Sequence, residues 1–162
     1  MNLNEPTLRA GIAAMLQLKG AHIQPEQVFA AFTGERRGVI PNFFSHSAFQ
    51  LLEHMRLALA DQLEYCINPE YGQTLVWPDD YWPKNPVPKE GEWEKAVGGY
   101  NALIEKFTDL ALRADLTVPV PKAEKTDHTI LRGILLMCDH NAYHLGQMVL
   151  VGKATGVKFP GV

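Results

Sequence analysis

The chain has 162 residues, 46% hydrophobic and 20% charged, a globular balance that excludes a disordered polypeptide. Fifteen basic residues against 18 acidic ones give a formal net charge of -3, which argues against a strongly basic nucleic-acid surface. Two cysteines, Cys66 and Cys138, are too few for a disulfide framework and suit a reducing compartment, whereas six histidines (His22, His46, His54, His128, His140 and His144) raise the question of whether some of them form a set.

The start, Met1 to Pro6, has neither a basic region nor an apolar run. The longest apolar stretch, Ile134 to Cys138, is far short of the roughly 20 residues that span a bilayer. The expectation is a soluble cytoplasmic protein forming one domain over residues 1–162. A first helix is expected from Glu5 to Lys19: Pro6 suits a first turn, Leu8, Ile12, Met15 and Leu16 recur at helical spacing, and Gly20 ends it. A short helix from Pro25 to Phe32 follows, and Thr33-Gly34 and the Gly38 to Pro41 segment read as loop.

A second long helix opens on a capping box of Ser47 and Gln50, with Ser45 as the alternative cap, and continues through His54 and Met55 to about Tyr65, where Asn68-Pro69 closes it. Residues 67–89, with Trp77-Pro78, Tyr81-Trp82-Pro83, Pro86 and Pro88, form a connection long enough to cross the end of a bundle, and connections of this length are often functional. A third long helix runs from Glu92 to Ala114 with Trp93, Val97, Tyr100, Leu103, Ile104, Phe107 and Leu110 inward. After a polar loop from Asp115 to Thr126, Asp127 caps a fourth long helix that reaches about Lys153. Four long helical patterns with almost no strand signal predict an all-α protein, and a four-helix bundle is the natural way to bury their apolar stripes.

His140 and His144 stand at i and i+4, roughly 40° apart on a helical wheel. They share a stripe with Gly133, Met137, Met148 and Val151, while Asp139 and Lys153 fall elsewhere. Two imidazoles turned into a bundle are either core histidines satisfied by hydrogen bonds or two ligands of one ion. A metal needs at least one ligand more. Cys138 faces away from His140, and Cys66 is expected past the end of the second helix. His54 is the better candidate, on a face with Ser47, Gln50, Leu51, Ala58, Asp61 and Tyr65. That face reads as an outer, solvated one or as the wall of a polar pocket. The other side, Leu52, Met55, Leu59 and Leu63, leaves both readings open.

Asn141 stands where the zinc-protease motif needs a glutamate base, which disfavours that chemistry. Three histidines without a carboxylate leave positions for water or substrate, and imidazoles suit zinc, nickel, iron or copper. Asp61, seven residues after His54, either orients a ligand imidazole or is a solvated acid. Gln147 lines the pocket or bonds within the core. Trp77, Tyr81 and Trp82 form an apolar lid or anchor a Pro-rich loop. Tyr65 and Tyr143 read as packing, His46 as part of the cap region, and His22 and His128 as surface residues.

The segments Ser45-His46-Ser47, Leu51 through Arg56, Tyr81-Trp82-Pro83 and Asp139 through Gln147, in this order, resemble the DinB-like (DinB/YfiT) superfamily. The resemblance implies a four-helix bundle of up-down-down-up topology, whose parallel second and third helices need a long crossover. It also implies a divalent metal on His54, His140 and His144, with Gln50, Asp61, Gln147 and Trp82 around it, and a homodimer formed through bundle helices. Relatives of this kind include metal-dependent transferases and isomerases that use low-molecular-weight thiols such as mycothiol or bacillithiol. The expected function is activation of such a thiol for attack on a small electrophile. A metal-dependent hydrolase and a non-catalytic, metal- or ligand-binding stress-response protein are the alternatives. No nucleic acid or membrane partner is implied. Relatives of this branch often carry a glutamate where this chain has Gly133, seven residues before His140; its loss either removes a partner of the site or opens space.

Overall fold

The computed structural model describes residues 5–122 and 127–161. These form five α-helices: α1 (Pro6–Leu16), α2 (Pro25–Ala31), α3 (Ala48–Ile67), α4 (Glu92–Arg113) and α5 (Ile130–Ala154). Short 3-10 turns lie at Gly34–Arg37 and Asp79–Tyr81. Among the described residues there is no strand, only an isolated bridge between Pro119 and Thr129. The chain is thus all-α, and its expected second, third and fourth long helices are α3, α4 and α5. No helix among the described residues is long and apolar enough to cross a membrane.

Four boundaries differ from the sequence reading. Glu5 is the cap of α1 rather than its first residue, its carboxylate accepting from the Thr7 and Leu8 amides. Gly20 does not end α1. The helix closes earlier, where Leu18 takes a left-handed φ of 52°, with its amide bonded to the Met15 carbonyl and that of Lys19 to the Ala14 carbonyl. That pair of bonds is a Schellman motif, which prefers glycine. Here burial of the Leu18 side chain, 3% exposed, holds the conformation instead. At α5 the cap is Thr129, whose hydroxyl accepts from the Arg132 amide, and not Asp127, which is exposed two residues earlier. Residues 123–126 of the expected loop lie outside the described residues. The capping box of α3 forms as read, and α3 continues to Ile67, so Cys66 sits in its last turn rather than past its end.

Both α1 and α3 pack against α4 and α5. One buried cluster draws on all five helices, with Leu16, Phe29, Leu52, Met55, Phe107 and Met148 among its members. Removing such stripes from water is the main driving force for this packing.

The connection after α3 determines what covers the histidines. It lies along α3 in the reverse direction, as a strap. The Tyr71 and Tyr81 phenols donate to Asp61 at 2.9 and 2.7 Å, Gln50 Nε2 donates to the Pro83 carbonyl at 2.7 Å, and Ser47 Oγ donates to the Pro86 carbonyl at 2.7 Å. Both residues of the capping box therefore hold the strap as well as the helix start.

Candidate metal centre

His54 projects from the middle of α3, and His140 and His144 project from successive turns of α5. His54 and His144 are buried, and His140 is half-buried. The polar face of α3 is therefore the wall of an interior site, and the solvated reading of it falls away. Nε2 of His54 lies 3.1 Å from Nε2 of His140. The ring centroids stand 5.0 Å (His54–His140), 4.6 Å (His54–His144) and 4.5 Å (His140–His144) apart. One ligand atom from each residue lies within 4.8 Å of the other two, so the cluster could hold a metal ion. Imidazole nitrogens about 2.0–2.1 Å from one ion sit roughly 3 Å from each other, which the closest pair already does.

Hydrogen bonds orient two of the rings. His54 Nδ1 donates to the Tyr81 carbonyl at 3.0 Å, and His144 Nδ1 donates to Gln147 Oε1 at 2.7 Å. Both partners are acceptors, so each ring carries its proton on Nδ1 and turns the Nε2 lone pair toward the centre. His140 Nδ1 and the side-chain amide of Asn141 beside it are buried without a well-formed hydrogen bond, though the amide interacts with the ring. Burial pushes the pKa of His54 and of His140 down to about 4, helped by repulsion between the imidazoles. His144 is lowered for the same first reason. Neutral imidazole is the form that binds metal.

Trp82 stacks on His54 at 3.8 Å between centroids and 4° between planes, and His46 stacks on Trp82 at 3.7 Å and 15°. Trp77, 64% exposed, stands edge-on to Tyr81 and lies tilted 6.3 Å from His54 between ring centroids, outside this stack. The Gln50 side chain bonds the Ser47 amide and the Pro83 carbonyl, and so fixes the neighbour of Trp82. Asp61 reaches His54 only through Tyr81, whose phenol it accepts and whose pKa burial and that bond push up to about 12. Gln147 touches His144 directly. Tyr65 is paired with His128 at 2.8 Å, and His22 is exposed. The cap-region reading of His46 missed its stack on Trp82, and the Tyr81 carbonyl, being backbone, carries no sequence signal at all.

The place where relatives often carry an acid is already filled. A Cβ on Gly133 would lie 2.4 Å from Cys66 Sγ and 2.9 Å from Gln62 Nε2. Neither cysteine is a reactive thiol: both are buried, which raises the Cys66 pKa and pushes Cys138 up to about 11. Beside the histidines opens a cleft of about 450 Å³, lined by His46, Trp82, His144 and Gln147 among others. A family model described as the DinB superfamily matches residues 18–148. No curated protein and no solved structure matches the chain.

Proposed function

The chain belongs to the DinB superfamily, and on that premise we propose that it is a divalent-metal enzyme that activates a low-molecular-weight thiol for attack on a small electrophile. The observation that carries this reading is the convergence of three neutral imidazoles, His54, His140 and His144, the last of which lines an open cleft. A divalent ion bound there, zinc, nickel or iron, supplies Lewis acidity and lowers the pKa of a thiol or water that joins it. The chain itself does the positioning. The Tyr81 carbonyl and Gln147 keep Nε2 of His54 and His144 turned inward, Trp82 covers the face of His54, and Asp61 and Gln50 hold the strap. With both cysteines buried, a thiol from outside is the nucleophile. One observation favours a second, non-catalytic reading: no carboxylate lines the cleft among the described residues, and Gly133 stands at the position of the acid.

The same reading takes residues 1–162 as one domain with up-down-down-up topology. Its support is the register of the helices. Gly99 faces Arg56, and Leu110 packs at the Cys66 end, so α4 advances with α3. Gly133 meets Cys66 and His140 meets His54, so α5 runs against α3; Arg9 bonds the Ala111 carbonyl near the end of α4, so α1 runs against α4. A homodimer fits the exposed Leu135 and Leu136 on α5, and a cytoplasmic location fits two unpaired cysteines.

The test is elemental analysis of untagged protein followed by a transfer screen with several low-molecular-weight thiols and electrophiles. Bound metal and metal-dependent thiol consumption are expected. Hydrolysis that proceeds without any thiol would replace the transferase reading with a hydrolase.

A further inference from the structure

The cleft beside the histidines has a lining that selects its ligand. Its volume of about 450 Å³ is in the range of small-molecule sites. Phe43, Phe44, Trp82, Tyr143, Leu150 and Val151 supply apolar wall, and Ser45, His46, His144 and Gln147 supply its polar groups. No Lys, Arg, Asp or Glu lines it among the described residues. The cleft on the other flank of the strap differs: Arg56, Lys84, Lys89 and Lys95 face Glu53 and Glu92 around about 750 Å³. Charge is available nearby and is kept out of the histidine cleft.

Phe43 is an independent observation. The Phe44 amide bonds the Pro41 carbonyl at 3.1 Å, which closes a turn with Phe43 at its third position and φ at 69°. Turns with a positive φ there take glycine or asparagine, and a bulky residue is strained. The side chain is 105% exposed, so no burial in this chain compensates for the strain. Strained residues of this type gather at ligand clamps. A ring held in water at the edge of an apolar cleft is placed to cover an apolar guest.

We propose that this cleft binds an uncharged, flat aromatic molecule against Phe43, Trp82 and Tyr143, with its polar end toward His46, His144 and Gln147. The role of that molecule as the electrophile rests on the metal-enzyme reading above; its binding does not. Aromatic faces offer area and offset stacking to such a ring. In the metal-free protein an ionic group would lose its water there with no counter-charge among the lining side chains.

The experiment is calorimetric titration of the full chain with naphthalene-2-carboxamide, naphthalene-2-sulfonate and 2-naphthylmethylammonium, with metal content measured on the same samples. In protein stripped of metal by chelator, the neutral amide is expected to bind about tenfold more tightly than either ion. Phe43→Ser is expected to weaken amide binding about three- to tenfold with an unchanged melting temperature. Leu150→Lys, which puts a cation in the wall, is expected to shift the preference toward the sulfonate. Equal or tighter binding of an ion by the unaltered, metal-stripped protein overturns the proposal, as does amide binding indifferent to both variants. Absence of all binding, with Phe43→Ser turning a dimer into a monomer, overturns it in favour of a second copy covering the cleft. Protein that takes up no added divalent metal yet keeps the amide preference would sink the metal reading and leave this one standing; protein that takes up metal but shows no amide preference once stripped would do the reverse.

Discussion

The two walls of the histidine centre reach one point by different means. On α5 the spacing is intrinsic to the helix: an i,i+4 pair faces one way in any α-helix, and Gln147 sits one turn on to orient His144. On α3 a lone His54 depends on residues far away in sequence. Its acceptor is the Tyr81 carbonyl, its cover is Trp82, and both are held by Asp61 and Gln50 through the strap. One wall is built by local geometry, the other by a long connection folding back onto its own helix. The α5 pair should therefore survive changes in the strap, and the orientation of His54 should not.

The largest test breaks both walls alike. His54→Ala, His140→Ala and His144→Ala are each expected to lower metal affinity more than about 100-fold, read by elemental analysis and chelator competition, because loss of a ligand exceeds the 10- to 100-fold typical of its supporting partners. Undiminished metal in any one of them removes that residue from the site.

Next comes the contact between the walls. Gly133→Glu drives a side chain into Cys66 and Gln62 and is expected to cost about 1–3 kcal/mol, seen as a lower melting temperature, with part of the loss recovered in Gly133→Glu/Cys66→Ala. An unchanged melting temperature would mean that α5 is free to move away from α3.

Smaller effects separate the walls. Gln147→Leu removes an acceptor that touches a ring and is expected to weaken metal about tenfold. Tyr81→Phe keeps the carbonyl but releases the phenol from Asp61, and about a threefold loss is expected, together with faster proteolysis within residues 68–91. Equal effects on metal would erase the distinction drawn between helix and strap.

The last test is pH. Folded His54 and His140 titrate near 4, below the ordinary histidine value of 6.5, so below 6.5 the unfolded chain binds more protons than the folded one. The metal-free protein is then expected to hold full stability above about pH 6.5 and to lose it progressively as pH falls toward 4, read as melting temperature at pH 7.5, 6.0 and 5.0. A flat profile would show that the three rings are not buried together.

What sequence made legible follows the same division. The α5 pair, the Ser47–Gln50 box and the inward stripe of α4 are local patterns, and they could be read directly. The side of α3 that carries His54 could not be assigned by pattern, because helices bury Leu52, Met55 and Leu59 whereas the strap helps bury His54. Gly20 misled because a buried Leu18 took the left-handed position ahead of it. Asp127 and Thr129 are both good caps by type, and Thr129 won by position. Gly133 showed that a side chain was missing, but not that Cys66 and Gln62 had taken the space.

Ser47 has a consequence for anyone redesigning this helix. Serine and aspartate are near-equivalent N-caps in general, because both accept from the first-turn amides. At this position the hydroxyl also gives: it accepts from the Gln50 amide at 3.2 Å and donates to the Pro86 carbonyl at 2.7 Å. Aspartate accepts only, and in this buried corner it would set a carboxylate against a carbonyl oxygen. A swap that substitution tables score as conservative would leave α3 properly started while unfastening the segment that lies over its histidine.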